Sequence, residues 1–481
     1  MTDSKLIELL KTLDSREATR FQEFVEGSYF NKHEQVAVLC EYLLKQGPDY
    51  DNSRKLSKAK VFSVLYPKKP LNENLLASIQ SKLLKLLQRF MAIELFLEDE
   101  PSEILLTMKA MRLRNAEKHF NLLERQFQRT IERQAIPIDE LSLELSRFYQ
   151  EQDLWFLMQG GRTYHEALQG SSDQLDLYYF VEKLRLACDM TNRNIVTDAS
   201  YDCKMIPFVI EYLRSNPSYQ QQYPILGMYL IILDLLQAPE EQAHYQKLIA
   251  ALARAKDDLV ELEQRRIYDY ALNYCVKQIN AGNTNYYEEV LRLYQLLLER
   301  RLIYLDGQLP AWEYKNIVTA AVRMDRFDWA KDFIESYKQD LPADIRENAY
   351  IYNLASLYYA SRQHKEALQS LHNVEFTDST YHLGAKIIQV KSYFELAEWE
   401  ALHSALDAFA AYIRRHKEIG EYRKAANLNF VNCCKQLCRL FEQRDWLKGD
   451  KFDSKLAAIA QSVAGLSPLA SKDWLAGVVE L

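Results

Sequence analysis

The sequence predicts an all-α chain: an antiparallel helix-hairpin superhelix, an α-solenoid, with a helical N-terminal module and a helical C-terminal cap. Three observations predict it. The phrase Glu366-Ala367-Leu368-Gln369-Ser370-Leu371 returns 34 residues later as Glu400-Ala401-Leu402-His403-Ser404-Ala405. A period of that length belongs to a stacked helix–turn–helix unit. The 481 residues include only 13 Gly and 12 Pro, about half of ordinary usage or less. Those residues oppose helix interiors by roughly 1 and 3 kcal/mol relative to Ala. Long stretches lacking both leave little room for the closely spaced turns of a β-sandwich or barrel.

Residues 1–100 read as a compact helical module. Leu6, Leu9, Leu10 and Leu13 form a helical stripe. Ser15 is read as the N-cap of a second helix carrying Phe21, Phe24 and Val25, which Gly27 ends. The loop Ser28-Tyr29-Phe30-Asn31 exposes two aromatics. A third helix carries Val36, Leu39, Tyr42 and Leu43 and stops at Gly47-Pro48, and Asp49 to Ser53 is a polar loop. A short helix covers about 57–65, and Pro67 and Pro70 break the chain. A long one from about Asn72 to Leu97 buries Leu76, Ile79, Leu83, Leu87 and Phe90.

Residues 101–310 read as irregular hairpins. A helical pattern runs from about Ser102 to Gln134, ending before Pro137. Residues 140–169 give one or two more helices, with Gly160-Gly161 and Gly170 as breaks. Asn216-Pro217, Pro224 and Ala238-Pro239 then separate single-helix lengths, and short connections imply antiparallel neighbours. Asp257-Asp258 is expected to cap or precede a helix.

Residues 311–415 contain the clear repeats. The middle unit has Ile351, Leu354, Ala355 and Tyr358 on its first helix and Ala367, Leu371 and Val374 on its second. Its predecessor has Tyr314, Ile317, Val318 and Ala321, then Ala330, Ile334 and Tyr337, ending in Pro342. Its successor has Ala385, Ile388, Gln389 and Ser392, then Ala401, Ala405 and Ala408. Ala355 and Ala367 are expected to meet where two helices cross, because a methyl on each side permits close approach. Residues 416–481 lack the phrase and fit an end cap for the last apolar face.

These repeats resemble the tetratricopeptide family, most specifically at 348–381. The whole chain also resembles an uncharacterised bacterial family of helical-repeat proteins, through Phe30-Asn31-Lys32, Ala271-Leu272-Asn273-Tyr274-Cys275 and Lys315-Asn316-Ile317-Val318. The first resemblance implies a concave groove that holds a peptide or helix of a partner. Its inner face would include Lys315, Thr319, Tyr352, Asn353, Ser356 and Tyr359. A subclass of the family clamps C-terminal carboxylates. Lys315 and Asn353 match two of its positions, Thr319 stands where a second Asn is expected, and Leu383 and Ile387 replace its Lys and Arg. Losing two cations removes the charge-assisted bonds such a clamp needs. The second resemblance implies no known activity.

Net charge is −7, so the chain as a whole repels nucleic acid and anionic lipid. Residues 52–89 run against that balance, with nine cations and one acid, Glu73. Lys82, Lys85 and Arg89 share a helix face. Such a patch can meet phosphates, dock on the acidic remainder or stay solvated. A solvated or intramolecular role is preferred, because no base-reading motif accompanies it. Arg125, Arg129 and Arg133, beside Glu124 and Glu132, read as an ordinary exposed helix face.

Little points to catalysis. Cys434 and Cys438 lie four apart on one helix beside Cys433, but no His is near in sequence, and a closed zinc site needs four ligands; buried thiols are the simpler reading. Tyr164-His165-Glu166 reads as a chance triplet in a helix, and no phosphate-binding or dinucleotide fingerprint is present. No enzyme activity, metal or cofactor is expected. The N-terminus Met1-Thr2-Asp3-Ser4-Lys5 lacks a secretory signal's apolar core, and Ile225 to Leu236 is too short to span a bilayer. Seven cysteines, an odd number, do not make a disulfide framework. The expectation is a cytoplasmic scaffold for a protein or peptide partner, with nucleic acid at 52–89 as the alternative.

Overall fold

The computed structural model describes residues 4–47, 50, 54–197, 199–255, 259–372, 374, 376, 378–416, 419–447 and 449–480. The expected cap at Asp257-Asp258, and all of the 49–53 loop except Tyr50, lie outside them. Among the described residues the regular structure is helical; the one β-type pairing is an isolated bridge between Leu305 and Gln308. The chain divides into two compact units, 1–182 and 183–481.

The first unit begins with α1 (Lys5–Leu10), α2 (Ser15–Glu26), α3 (Glu34–Leu44), α4 (Lys58–Leu65) and α5 (Glu73–Glu98). The long α5 packs against each of the other four. Leu83, Leu87 and Phe90 share one core with Leu6, Phe21, Val36 and Leu43. The α2 cap is Asp14, not Ser15: its carboxylate accepts from the backbone N–H of Arg16 and Glu17, and Glu17 reaches back to the Asp14 N–H. This reciprocal box satisfies donors that a serine at the first helical position cannot.

The pattern expected as one run over 102–134 is a hairpin, α6 (Glu100–Leu113) and α7 (Glu117–Arg133). It turns at Asn115, whose φ is +53°. Next come α8 (Ile138–Met158) and α9 (Glu166–Thr197). Gly170, expected as a break, lies inside α9. A Cβ there would stand 3.1 Å from the Tyr149 ring, so the glycine serves close packing on α8. Tyr164 and His165 precede α9 rather than sitting within a helix; His165 Nδ1 lies 3.0 Å from Asp153 Oδ1, and the imidazole stacks on Phe156.

The second unit continues through α10 (Ile206–Ser215), α11 (Pro217–Gln222), α12 (Pro224–Gln237), α13 (Gln242–Ala255), α14 (Glu261–Asn280) and α15 (Tyr286–Glu299). The apolar α12 is a buried core helix. Tyrosines fix several seams by donating to carboxylates on neighbouring helices. Tyr229 donates to Glu263 at 2.9 Å and Tyr245 to Glu289 at 2.9 Å, and Tyr270 donates to Asp189. Burial and the adjoining acid push the Tyr229 phenol well above its ordinary range, so it stays a neutral donor.

Three hairpins follow: α16 (Ala311–Arg323) with α17 (Phe327–Ser336), α18 (Arg346–Ala360) with α19 (His364–Ser370), and α20 (Ser379–Glu395) with α21 (Trp399–Arg415). Each turns identically. A left-handed residue, Asp325, Arg362 or Ala397, ends the first helix. The next N–H bonds back five residues, Arg326 to Ala321, Gln363 to Tyr358 and Glu398 to Tyr393, which satisfies carbonyls the helix end leaves open. Within each pair the two helices pack on each other; the first helices also pack in series, α16 on α18 and α18 on α20. Ala355 and Ala367 are fully buried in one core cluster with Leu371, Ala385 and Ile388. The chain ends with α22 (Glu421–Glu442), α23 (Gly449–Gly465) and α24 (Lys472–Val479); α22 packs against α21, α23 and α24.

Candidate partner-binding face

The common turn gives the three hairpins one register. Counting back from Asp325, Arg362 and Ala397 puts Lys315, Tyr352 and Ile387 at one equivalent position, and Thr319, Ser356 and Lys391 at another, one helical turn later. Both rows therefore run across α16, α18 and α20. Tyr352, Ser356, Ile387 and Lys391 are half-buried, and Thr319 is exposed.

The Lys315 ammonium sits 5.2 Å from the centre of the Tyr352 ring. Tyr381 meets Tyr352 edge-on at 5.3 Å and donates its phenol to the Ala311 carbonyl at 3.2 Å. Tyr352 lies against Gly384, where a Cβ would come within 2.5 Å of the ring. Glycine inside a helix is unfavourable, and here the bare backbone makes space for the tyrosine. One turn on, Lys391 reaches two rings, 5.7 Å from Tyr359 and 5.5 Å from Trp474 of α24. Trp474 donates its indole N–H to Glu395 at 3.0 Å and meets Phe394 edge-on.

Neither lysine is directly paired. Burial holds the Lys315 ammonium below the ordinary lysine range; Arg423 adds to that and Asp378 opposes it. Burial holds Lys391 lower still, at about 8. Among the described residues neither forms an ion pair with a carboxylate. Of the nearby acids, Asp378 caps α20 through the N–H groups of Thr380 and Tyr381 and Glu395 accepts from Trp474; Asp473 of α24 also bears on Lys391.

Of the residues expected on this face, Lys315, Thr319, Tyr352, Ser356 and Tyr359 lie at its exposed or half-buried positions. Asn353 does not. It is 1% exposed and donates its amide to the Ala349 carbonyl at 2.7 Å. One residue past Tyr352 turns it about 100° around the helix, into the packing. Leu383, matched to a clamp cation, is likewise buried in the core. Sequence reasoning missed Lys391, Trp474 and Gly384. Lys391 was within reach, since it holds the same hairpin position as Thr319 and Ser356; Trp474 comes from outside the three hairpins.

Lys82, Lys85 and Arg89 are exposed on α5 in the first unit. Lys82 Nζ lies 3.1 Å from His33 Nε2, and the Arg89 guanidinium lies 5.8 Å from the Phe30 ring. Beside them Tyr29 is 86% exposed and meets Phe30 edge-on. Lys58 is paired with Glu73 at 2.6 Å.

Cys433, Cys434 and Cys438 are buried. A histidine does approach: His403 of α21 places Nε2 3.5 Å from Cys438 Sγ and 3.4 Å from Glu442. Burial pushes the Cys438 thiol up to about 11, so the reactive thiolate is scarce. Among the described residues no group of three or more His, Cys, Asp or Glu is arranged to hold a metal ion, and no helix is long and apolar enough to cross a membrane. Comparison with protein families, curated proteins and solved structures found no match for this chain.

Proposed function

We propose that the helices from α16 onward stack as a tetratricopeptide-like superhelix, and that the row on α16, α18 and α20 holds an extended segment or helix of a protein partner. One observation carries this reading. Successive first helices present Lys315, Tyr352, Ile387 and Thr319, Ser356, Lys391 in register, half-buried aromatics beside polar groups. A structural core would bury such rings fully, and a plain solvated face would carry no tyrosine wedged on glycine. Aromatic surface with polar handles suits recognition of a chain laid across several helices.

The test is site-specific photo-cross-linking in the native cell, with the cross-linker at Ser356 or at Lys331, an exposed residue of α17. A partner captured at Ser356 and not at Lys331 supports the reading. Equal capture at both, or none at Ser356, removes it.

A second reading rests on the first unit. Tyr29 beside Lys82, Lys85 and Arg89 pairs a stacking ring with cations, the combination that binds single-stranded nucleic acid. Its test is a gel mobility shift at varied salt. Binding that weakens as salt rises supports it; no shift even at low salt discards it.

A further inference from the structure

We infer that the segment held on this face is acidic, with carboxylates that pair with Lys315 and Lys391 while its apolar side chains meet Tyr352, Ile387 and Tyr359. This rests on the reading of the face as partner-binding and adds the partner's chemistry. The argument begins with desolvation. A half-buried ammonium loses hydration, and proteins compensate with a carboxylate. Lys315 and Lys391 lie against ring faces, Tyr352 for one and Tyr359 with Trp474 for the other, with no directly paired carboxylate among the described residues. Ring quadrupoles compensate part of that loss and supply no net negative charge.

The surroundings sharpen the charge preference. The groups bearing on Lys315 are Arg423 and Asp378; those bearing on Lys391 are Cys434, Arg323, Asp473 and Glu395. Arg323 and Arg423 add positive field, which Asp473 opposes at Lys391, while Asp378 and Glu395 are already engaged in the α20 cap and the indole bond. Spacing sets a second requirement. Lys315 and Lys391 stand on α16 and α20, with α18 between. Packed helices lie about 8–10 Å apart, so the two ammonium groups are separated by roughly 16–20 Å. An extended chain covers that in about five or six residues. The predicted motif is two acids at that interval with an apolar or aromatic residue between.

Carboxylate pairing also predicts a proton signature. Pairing requires a protonated Lys391, which in the empty face has given up its proton above about pH 8. Binding at pH 9 therefore takes up a proton, and affinity falls as pH rises through 8. A solvated lysine would keep its proton to about 10.4.

The experiment uses the full chain and a labelled 16-residue oligoglutamate, with an oligoglutamine of equal length and a 16-nucleotide oligothymidylate as comparisons. Oligoglutamate should bind, oligoglutamine should not, and Lys315→Met and Lys391→Met should each weaken binding about tenfold or more, while Lys331→Met leaves it unchanged. Titration calorimetry of the unaltered protein at pH 9 in two buffers of different ionisation enthalpy should show proton uptake; this readout needs no variant to fold. The inference is overturned if oligoglutamate does not bind, if either lysine variant binds it undiminished while remaining helical, if no proton is taken up, or if oligothymidylate binds this face more tightly. The face itself is judged separately: a neutral or basic segment cross-linked at Ser356 ends the acidic assignment and leaves the partner-binding reading standing.

Discussion

Replacing Gly384 with alanine tests whether the Tyr352 ring is seated where the proposed binding face requires it. In an unobstructed helix interior this change stabilises by about 1 kcal/mol. At Gly384 the new methyl would lie 2.5 Å from Cε2 of Tyr352 and 3.1 Å from Cζ and Oη. The ring must therefore move by close to 1 Å. Its escape is restricted by the Tyr381 edge at 5.3 Å and the Lys315 ammonium at 5.2 Å. Overpacking of this kind costs about 1–3 kcal/mol, which exceeds the propensity gain, so Gly384→Ala should destabilise by up to about 2 kcal/mol. In a Tyr352→Ala background the obstruction is absent, and the same change should stabilise by about 1 kcal/mol. Scanning calorimetry of the four proteins in this cycle reads the reversal directly. If Gly384→Ala raises the melting temperature equally in both backgrounds, the tyrosine does not rest on the glycine and the geometry argued for the face is wrong.

Lys391→Met should stabilise the protein at pH 7 and abolish a rise in stability between about pH 8 and 10.5, where the unfolded chain still holds a proton that the folded site has released; the shift to about 8 corresponds to something on the order of 3 kcal/mol. Urea unfolding across that pH range measures it, and an equal slope in both proteins would refute it. Tyr229→Phe leaves the buried Glu263 carboxylate, which Arg266 also pairs, short of a donor, and should cost about 1.5–3 kcal/mol in chemical denaturation; a loss below 0.5 kcal/mol, which is within the ordinary range for a surface change, would contradict that role. Ala397→Gly should stabilise by up to about 1 kcal/mol, because Ala397 holds φ +55°, a conformation that costs a side-chain-bearing residue about 1–2 kcal/mol and glycine little. A lower melting temperature would show that the turn needs the methyl.

Helices announced themselves where apolar stripes ended at Gly or Pro: α2 stops at Gly27, and α12 begins at Pro224. The signal failed where a stop used neither. Asn115 turns the α6–α7 hairpin with a left-handed backbone stabilised by its own hydrogen bonds, and an uninterrupted amphipathic pattern conceals it. Arg362 and Ala397 do the same, and only the recurring Glu-Ala-Leu phrase after them betrayed the turn. Gly170 failed in the opposite direction, because a glycine that admits a neighbouring ring looks in sequence like one that ends a helix. Of the residues expected on an inner face, Asn353 is buried, and there one residue of rotation separates surface from core. Trp474 was illegible because its place depends on how α24 packs against α22, which no repeat pattern encodes. The tyrosines proved divided, some seam-forming donors such as Tyr229 and others, such as Tyr352 and Tyr359, half-buried.

The most direct measurement is the segment captured by a cross-linker at Ser356 in the native cell, identified by mass spectrometry and compared with capture at Lys331. A partner segment bearing two acids about five or six residues apart, found at Ser356 alone, is the predicted result. Capture distributed equally between Ser356 and Lys331 would contradict it.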